Sequence, residues 1–162
     1  MNETALRSYM LIWFSFIIAC ILQIAPWPNE LADFRPSWLL LVAFYWALAL
    51  PHRVSVGSAL ILGLLWDLML GSTLGVRSFM MSILIYIVAL NFQMFRNMSL
   101  LHQALLLTLL SLSGKVIVYW LEYAISPVVF DPRILLSGVL NFLLWPWLFL
   151  LLRRIRRQFS IS

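Results

Sequence analysis

Six apolar stretches, parted only by short polar or proline-bearing joints, take up most of this chain. They run over about 9–25, 37–50, 54–70, 75–92, 100–125 and 134–152. A helix that crosses a bilayer needs about 20 mainly apolar residues, within a range of about 17–25. Hydrocarbon offers no water to backbone polar groups, so such segments must satisfy themselves as helices. Composition agrees with that constraint. Of 162 residues, 64% are hydrophobic and 10% charged, against about 45–50% apolar and about 25% charged in soluble domains. A soluble fold this small keeps much of its surface in water and cannot hide the surplus. Soluble enzymes, nucleic-acid-binding modules and disordered linkers are thereby excluded. The expected fold is all-α: a six-transmembrane-helix bundle forming one integral membrane domain over 1–162.

The joints carry the finer expectations. Pro26-Trp27-Pro28 stops the first stretch, and Pro36-Ser37 opens the second, since proline fits a first helical turn. Only Pro51-His52-Arg53 parts the second stretch from the third, so a re-entrant pair with four full spans is the alternative. The sixth stretch is broken by Pro146. With the N-terminus inside, Arg7, Arg53, Arg96 and the tail Arg153, Arg154, Arg156, Arg157 fall on the cytoplasmic side, and Arg35, Arg77 and Arg133 fall outside. Seven against three, with Lys115 inside a span, places both termini in the cytoplasm by the positive-inside rule. The first span reads as uncleaved, because Ile24-Ala25-Pro26 makes a poor cleavage site. Trp13, Trp27, Trp38, Trp145 and Trp147 sit near the expected boundaries, as an interfacial aromatic belt would.

Charges inside the spans are the candidates for function. Asp67, Lys115 and Glu122 lie within apolar stretches, with Arg77 at a boundary. Each costs roughly 2.5–3.5 kcal/mol at mid-bilayer, so each should face protein and find a partner. Asp67 and Arg77 flank one turn and are expected to meet. Lys115 and Glu122, seven residues apart, share one helix face. Such a cluster reads either as a pocket open to the outer side or as contacts that lock helices together. Gly57, Gly63, Gly71 and Gly75 surround the aspartate, and Ser111 and Gly114 adjoin the lysine. Small residues at these spacings let helices approach closely, while Gly71 to Gly75 also suits an outer turn. The basic tail reads as a stop signal that attracts anionic lipid, or as a docking site for a cytoplasmic partner. No catalytic, cofactor or metal signature accompanies these residues. His52 and His102 stand alone, and Cys20 is the single cysteine, so no intrachain disulfide or thiolate cage is expected.

Several stretches resemble the MreD family of rod shape-determining proteins. They are Leu22-Gln23-Ile24-Ala25-Pro26-Trp27-Pro28, Phe34-Arg35-Pro36-Ser37-Trp38, Tyr45-Trp46-Ala47-Leu48-Ala49-Leu50-Pro51-His52-Arg53, Asp67-Leu68 with Gly71-Ser72-Thr73-Leu74-Gly75-Val76-Arg77, Phe95-Arg96-Asn97 and Leu144-Trp145-Pro146-Trp147. The resemblance covers nearly the whole chain, although Lys115 matches no family motif. It implies a non-enzymatic component of the bacterial cell-elongation machinery in the inner membrane. The partners it implies are MreC, the glycan polymerase RodA, penicillin-binding protein 2, MreB filaments on the inner side, membrane lipids and a second copy of the chain. The family also resembles the substrate-binding subunits of energy-coupling-factor transporters. That likeness keeps open a second function, the binding of a small molecule or lipid precursor.

Overall fold

The computed structural model describes residues 3–161. Among them there are seven α-helices and no strands: α1 Glu3–Ile24, α2 Trp38–Ala49, α3 Val56–Leu70, α4 Val76–Leu90, α5 Phe92–Asn97, α6 Leu100–Ile125 and α7 Ser137–Gln158. Two 3₁₀ turns, Ala32–Phe34 and Pro132–Leu136, sit in the connections that follow α1 and precede α7.

Three helical segments are long and apolar enough to cross a membrane: Glu3–Ile24, Leu100–Ile125 and Pro132–Gln158. α3 and α4 are apolar but have 15 residues each, or about 22 Å at 1.5 Å per residue. α2 has 12 residues, or about 18 Å. The first apolar stretch begins its helix earlier than expected, at Glu3. The sixth is not broken: α7 runs continuously through Pro146.

α2 is the axis of the bundle. Leu39 through Leu48 are all buried. A helix that is apolar on every side belongs in an interior, and here that interior is protein. α1, α4, α5, α6 and α7 all contact it. The surrounding helices are two-faced. On α1, Ile12, Phe16 and Ala19 point inward, while Met10, Phe14, Ile17 and Ile21 are exposed. Exposed apolar side chains recur on α3, α4, α6 and α7, as lipid-facing surfaces require. Trp145 is fully buried beside Phe149. It is therefore a core residue rather than a member of an interfacial belt.

A short helix that begins inside a bundle leaves its first N–H groups without intrahelical acceptors. Two neighbours supply them. Asn141 Oδ1 on α7 accepts from Ser37 N–H at 3.0 Å, and Gln23 Oε1 on α1 accepts from Leu39 N–H at 3.4 Å. α2 is thus pinned from both sides by side chains of other helices. At the far end, Gln103 Nε2 of α6 donates to Phe95 O at 2.6 Å and so closes the end of α5.

Candidate functional site

α3 and α4 form a tight hairpin because Gly63 has no side chain. A Cβ there would lie 2.3 Å from Ser78 Cα. Ser78 Oγ in turn donates to Leu60 O at 2.8 Å. The hairpin turns through Gly71, at φ +61°, and Gly75, at φ +96°. Ser72 N–H donates to Asp67 O, and Gly71 N–H to Leu68 O. This is the six-to-one and five-to-two bonding of a Schellman ending, with glycine in the left-handed conformation.

That ending aims the Asp67 carboxylate at the start of α4. Oδ2 accepts from Gly75 N–H at 3.0 Å and Arg77 N–H at 3.2 Å. Oδ1 accepts from Ser72 Oγ at 3.2 Å and Arg77 Nη1 at 3.3 Å. One fully buried carboxylate therefore caps the next helix, faces the positive end of its dipole and holds an ion pair. Arg77 Nη1 also donates to Ser72 Oγ at 2.6 Å and stands 3.5 Å from Glu122 Oε1 on α6. The guanidinium carbon lies 5.8 Å from the centre of the Trp66 ring. Arg77 thus joins the α3–α4 turn to α6.

Lys115 does not join that pair. Its Nζ donates to Ser137 Oγ and, at 3.4 Å, to Ile134 O. It ties α6 to the start of α7. Lys115 and Glu122 share a helix but bind different neighbours. Between these contacts lies a cavity of about 310 Å³, lined by Arg35, Trp66, Arg77, Lys115, Tyr119 and Glu122 among others.

The small residues divide by role. A Cβ on Gly114 would meet Leu84 Cδ1 at 2.7 Å and Met80 Sδ at 3.0 Å, so Gly114 seats α6 against α4. Ser111 Oγ accepts from Asn141 Nδ2 at 3.0 Å. Gly71 and Gly75 make the expected outer turn and no close helix contact, with nothing within 4 Å of an added Cβ. Gly57 is likewise open, because α3 is packed mainly on its α4 side. At the other end of the bundle, Arg153 and Arg156 border a cleft with Arg96, while Arg154 and Arg157 border an open groove that Arg153 also lines.

The model of the family described as "rod shape-determining protein MreD" matches residues 5–155. This chain belongs to the MreD family. A "Rod shape-determining protein MreD" from Haemophilus influenzae (strain ATCC 51907 / DSM 11121 / KW20 / Rd) is similar to it. The two are 41% identical over 157 residues, covering 94% of this chain and 97% of that one. No solved structure matches. Membership assigns the chain to bacterial rod-shape determination, and its long apolar helices fit a membrane protein.

Three residues at the heart of this arrangement carry no charge and so do not stand out in the sequence: Asn141, Gln23 and Gln103. Each is a buried amide inside an apolar run. Each closes a helix end that ordinary water would close in a soluble protein.

Proposed function

We propose that this chain is a non-catalytic adaptor of the bacterial cell-elongation complex, a single six-span domain of the inner membrane with both termini in the cytoplasm. It binds the membrane span of MreC and, through it, acts with RodA, penicillin-binding protein 2 and MreB in peptidoglycan synthesis. The family match over residues 5–155 carries this reading. The structure supports a particular face for the contact. Gly63 and Gly114 already seat α4, so they are spent on internal packing. The outer side of α3 is not. Gly57 has open space, and Leu60, Ile61, Leu65 and Leu68 are exposed along the same helix. A small residue in an apolar stripe lets a second helix approach closely.

The test is co-purification of MreC from membranes with the tagged chain. The wild-type chain retains MreC, and Gly57→Leu weakens retention while insertion stays normal. Undiminished retention in Gly57→Leu moves the contact away from α3. No retention with the wild type removes the adaptor reading. Retention of a differently tagged second copy in place of MreC assigns the face to self-association.

The cavity supports a second reading, suggested by the likeness to energy-coupling-factor substrate-binding subunits. It holds Arg35, Arg77 and Lys115 against Asp33 and Glu122, and the buried Trp66 Nε1 has no partner. A small anionic or zwitterionic molecule, or a lipid precursor, would meet donors on several sides. Native mass spectrometry of the chain purified from its own membranes decides this. A bound mass lost in Lys115→Met supports occupancy, and an empty chain in every preparation counts against it.

A further inference from the structure

A second cavity lies at the opposite end of α2. Its volume is about 210 Å³. Arg96 of α5 and Arg153 and Arg156 of α7 border it, and Tyr45 of α2 and Gln103 of α6 line it more deeply. Three guanidiniums that line one cleft repel one another; water screens this at the exposed Arg96 and Arg153, and an anion between them would offset it further. Among the described residues, no carboxylate pairs with any of the three.

The inner wall is also incomplete. Tyr45 is 1% exposed, and its hydroxyl has no hydrogen-bond partner. It lies within electrostatic range of Arg156, Arg153 and Arg157, of which the first two line the cleft. Gln103 is 3% exposed; its Nε2 is spent on Phe95 O and Met98 O, while Oε1 has no partner. Buried polar atoms left unpaired are costly and uncommon in folded proteins. The cleft therefore asks for an anion whose oxygens accept from arginine and phenol, and which also carries a hydroxyl to donate to Gln103 Oε1. A carboxylate supplies the first property and lacks the second. A phosphodiester with a hydroxylated headgroup supplies both.

Position says where such a group would come from. Phe149 forms an apolar wall of the cleft, and Leu151 just before the arginines is exposed on α7. Acyl chains can lie along that surface while the headgroup enters the cleft. The volume is below the roughly 300–1,000 Å³ of ordinary ligand pockets, which suits a headgroup better than a nucleotide. We propose that this cleft is a specific site for one anionic phospholipid with a hydroxylated headgroup, of the phosphatidylglycerol type. It is distinct from general attraction between the basic tail and an anionic surface, and it does not depend on the adaptor reading.

Arg154 and Arg157 provide the control, because they carry the same charge on the same helix but do not line the cleft; they border a neighbouring groove that shares Arg153 with it. The full chain in neutral detergent is titrated with phosphatidylglycerol or phosphatidylcholine, and bound lipid is counted by native mass spectrometry. The expected result is one phosphatidylglycerol held at least tenfold more tightly than phosphatidylcholine. The pair Arg96→Gln with Arg156→Gln should weaken it about a hundredfold, the scale of two lost charge-assisted hydrogen bonds at about tenfold each. Tyr45→Phe, which removes no charge, should weaken it about threefold. The pair Arg154→Gln with Arg157→Gln, which leaves every cleft-lining arginine in place, should weaken it far less than the Arg96 and Arg156 pair does. Equal weakening by the two arginine pairs would reduce the site to a diffuse field and overturn the proposal. So would equal binding of phosphatidylcholine. Glycerol 3-phosphate competing at the affinity of the intact lipid would assign the cleft to a soluble phosphate ester instead. Should the Arg96 and Arg156 pair fail to fold, Arg156→Gln and Tyr45→Phe, each made alone, decide by the same titration.

Discussion

Replacing Asp67 with alanine removes four acceptor contacts from one buried position. The carboxylate holds Gly75 N–H, Arg77 N–H, Ser72 Oγ and Arg77 Nη1 at 3.0–3.3 Å. Breaking a buried pair by deleting one partner costs about 3–5 kcal/mol. Arg77 softens the loss, because it keeps Glu122 at 3.5 Å and its side chain is 18% exposed. The lower part of that range therefore applies. Loss of a helix cap is worth about 1 kcal/mol, and it overlaps with the pair because one group makes both. The expected destabilisation is about 3–4 kcal/mol. At this chain length that lowers the unfolding midpoint by roughly 6–16 °C. The assay is thermal unfolding of the purified chain in detergent, followed by tryptophan fluorescence. Asp67→Asn keeps an oxygen for the two backbone N–H groups, loses the charge and places an amide donor beside other donors. It should cost about half as much.

Asp33→Ala is the reference substitution. Asp33 also faces an arginine, Arg133, but at 3.9 Å with side chains 37% and 71% exposed, a setting worth about 0–1 kcal/mol. In the Arg77→Ala background, Asp67→Ala should cost only the cap, about 1 kcal/mol. The reasoning fails if Asp67→Ala lowers the midpoint no further than Asp33→Ala. It also fails if the two losses at Asp67 and Arg77 simply add.

Gly63→Ala should destabilise by about 1–3 kcal/mol or more, since its Cβ meets Ser78 backbone at 2.3 Å and packed helices must part; Gly57→Ala, in open space, should be neutral or gain up to about 1 kcal/mol. The same thermal assay compares them. Asn141→Leu should cost about 1–3 kcal/mol by leaving Ser37 N–H unpaired, and hydrogen exchange at Ser37 and Leu39 should quicken more than elsewhere in α2. Reporter fusions after Arg53, Arg96 and Arg157 should read cytoplasmic, and fusions at Asp33 and Asp131 external; an external reading at Arg96 contradicts the six-span topology.

Much of the fold was legible because lipid exposure writes itself into long apolar runs. Residues 100–125 match α6 end for end, and the bounds of α3 and α4 differ from expectation by two residues or fewer. What an apolar run does not reveal is whether lipid or protein surrounds it. The second stretch looked like a short span. It is also the buried centre of the bundle, surrounded by protein rather than lipid. α5 escaped notice because Phe92–Asn97 continues the fourth stretch with no proline or glycine between. The meeting of Asp67 and Arg77 was legible because ten residues and one glycine-bounded turn leave few alternatives. The partner of Lys115 was not, since a hydroxyl 22 residues away carries no charge to search for. Asn141 and Gln23 were hidden for the same reason.

The two ends of the bundle solve the burial of polar groups in opposite ways. At the end holding Asp67, every carboxylate within the apolar stretches has a cation, and the helix starts are closed by Asp67, Asn141 and Gln23. That end pairs its charges internally, although Trp66 Nε1 and Arg35 Nε have no partner, and it resists rearrangement because any shift of α4 relative to α3 or α6 breaks several bonds together. At the end holding Arg96, Arg153 and Arg156, cations gather without acids, and the Tyr45 hydroxyl and Gln103 oxygen stay unpaired. An end that lacks counter-charges can gain stability from outside the chain, by a ligand that binds the folded arrangement. α2 connects the two, since its first residues hang from Asn141 and Gln23 and its last turns form the wall of the arginine cleft. A rigid rod fixed at one end transmits what happens at the other as displacement rather than as bending. Occupancy of the arginine cleft should therefore be felt at the Ser37 and Leu39 amides, where hydrogen exchange should slow when phosphatidylglycerol is added. If exchange there is indifferent to the lipid while the cleft binds it, α2 does not couple the two ends.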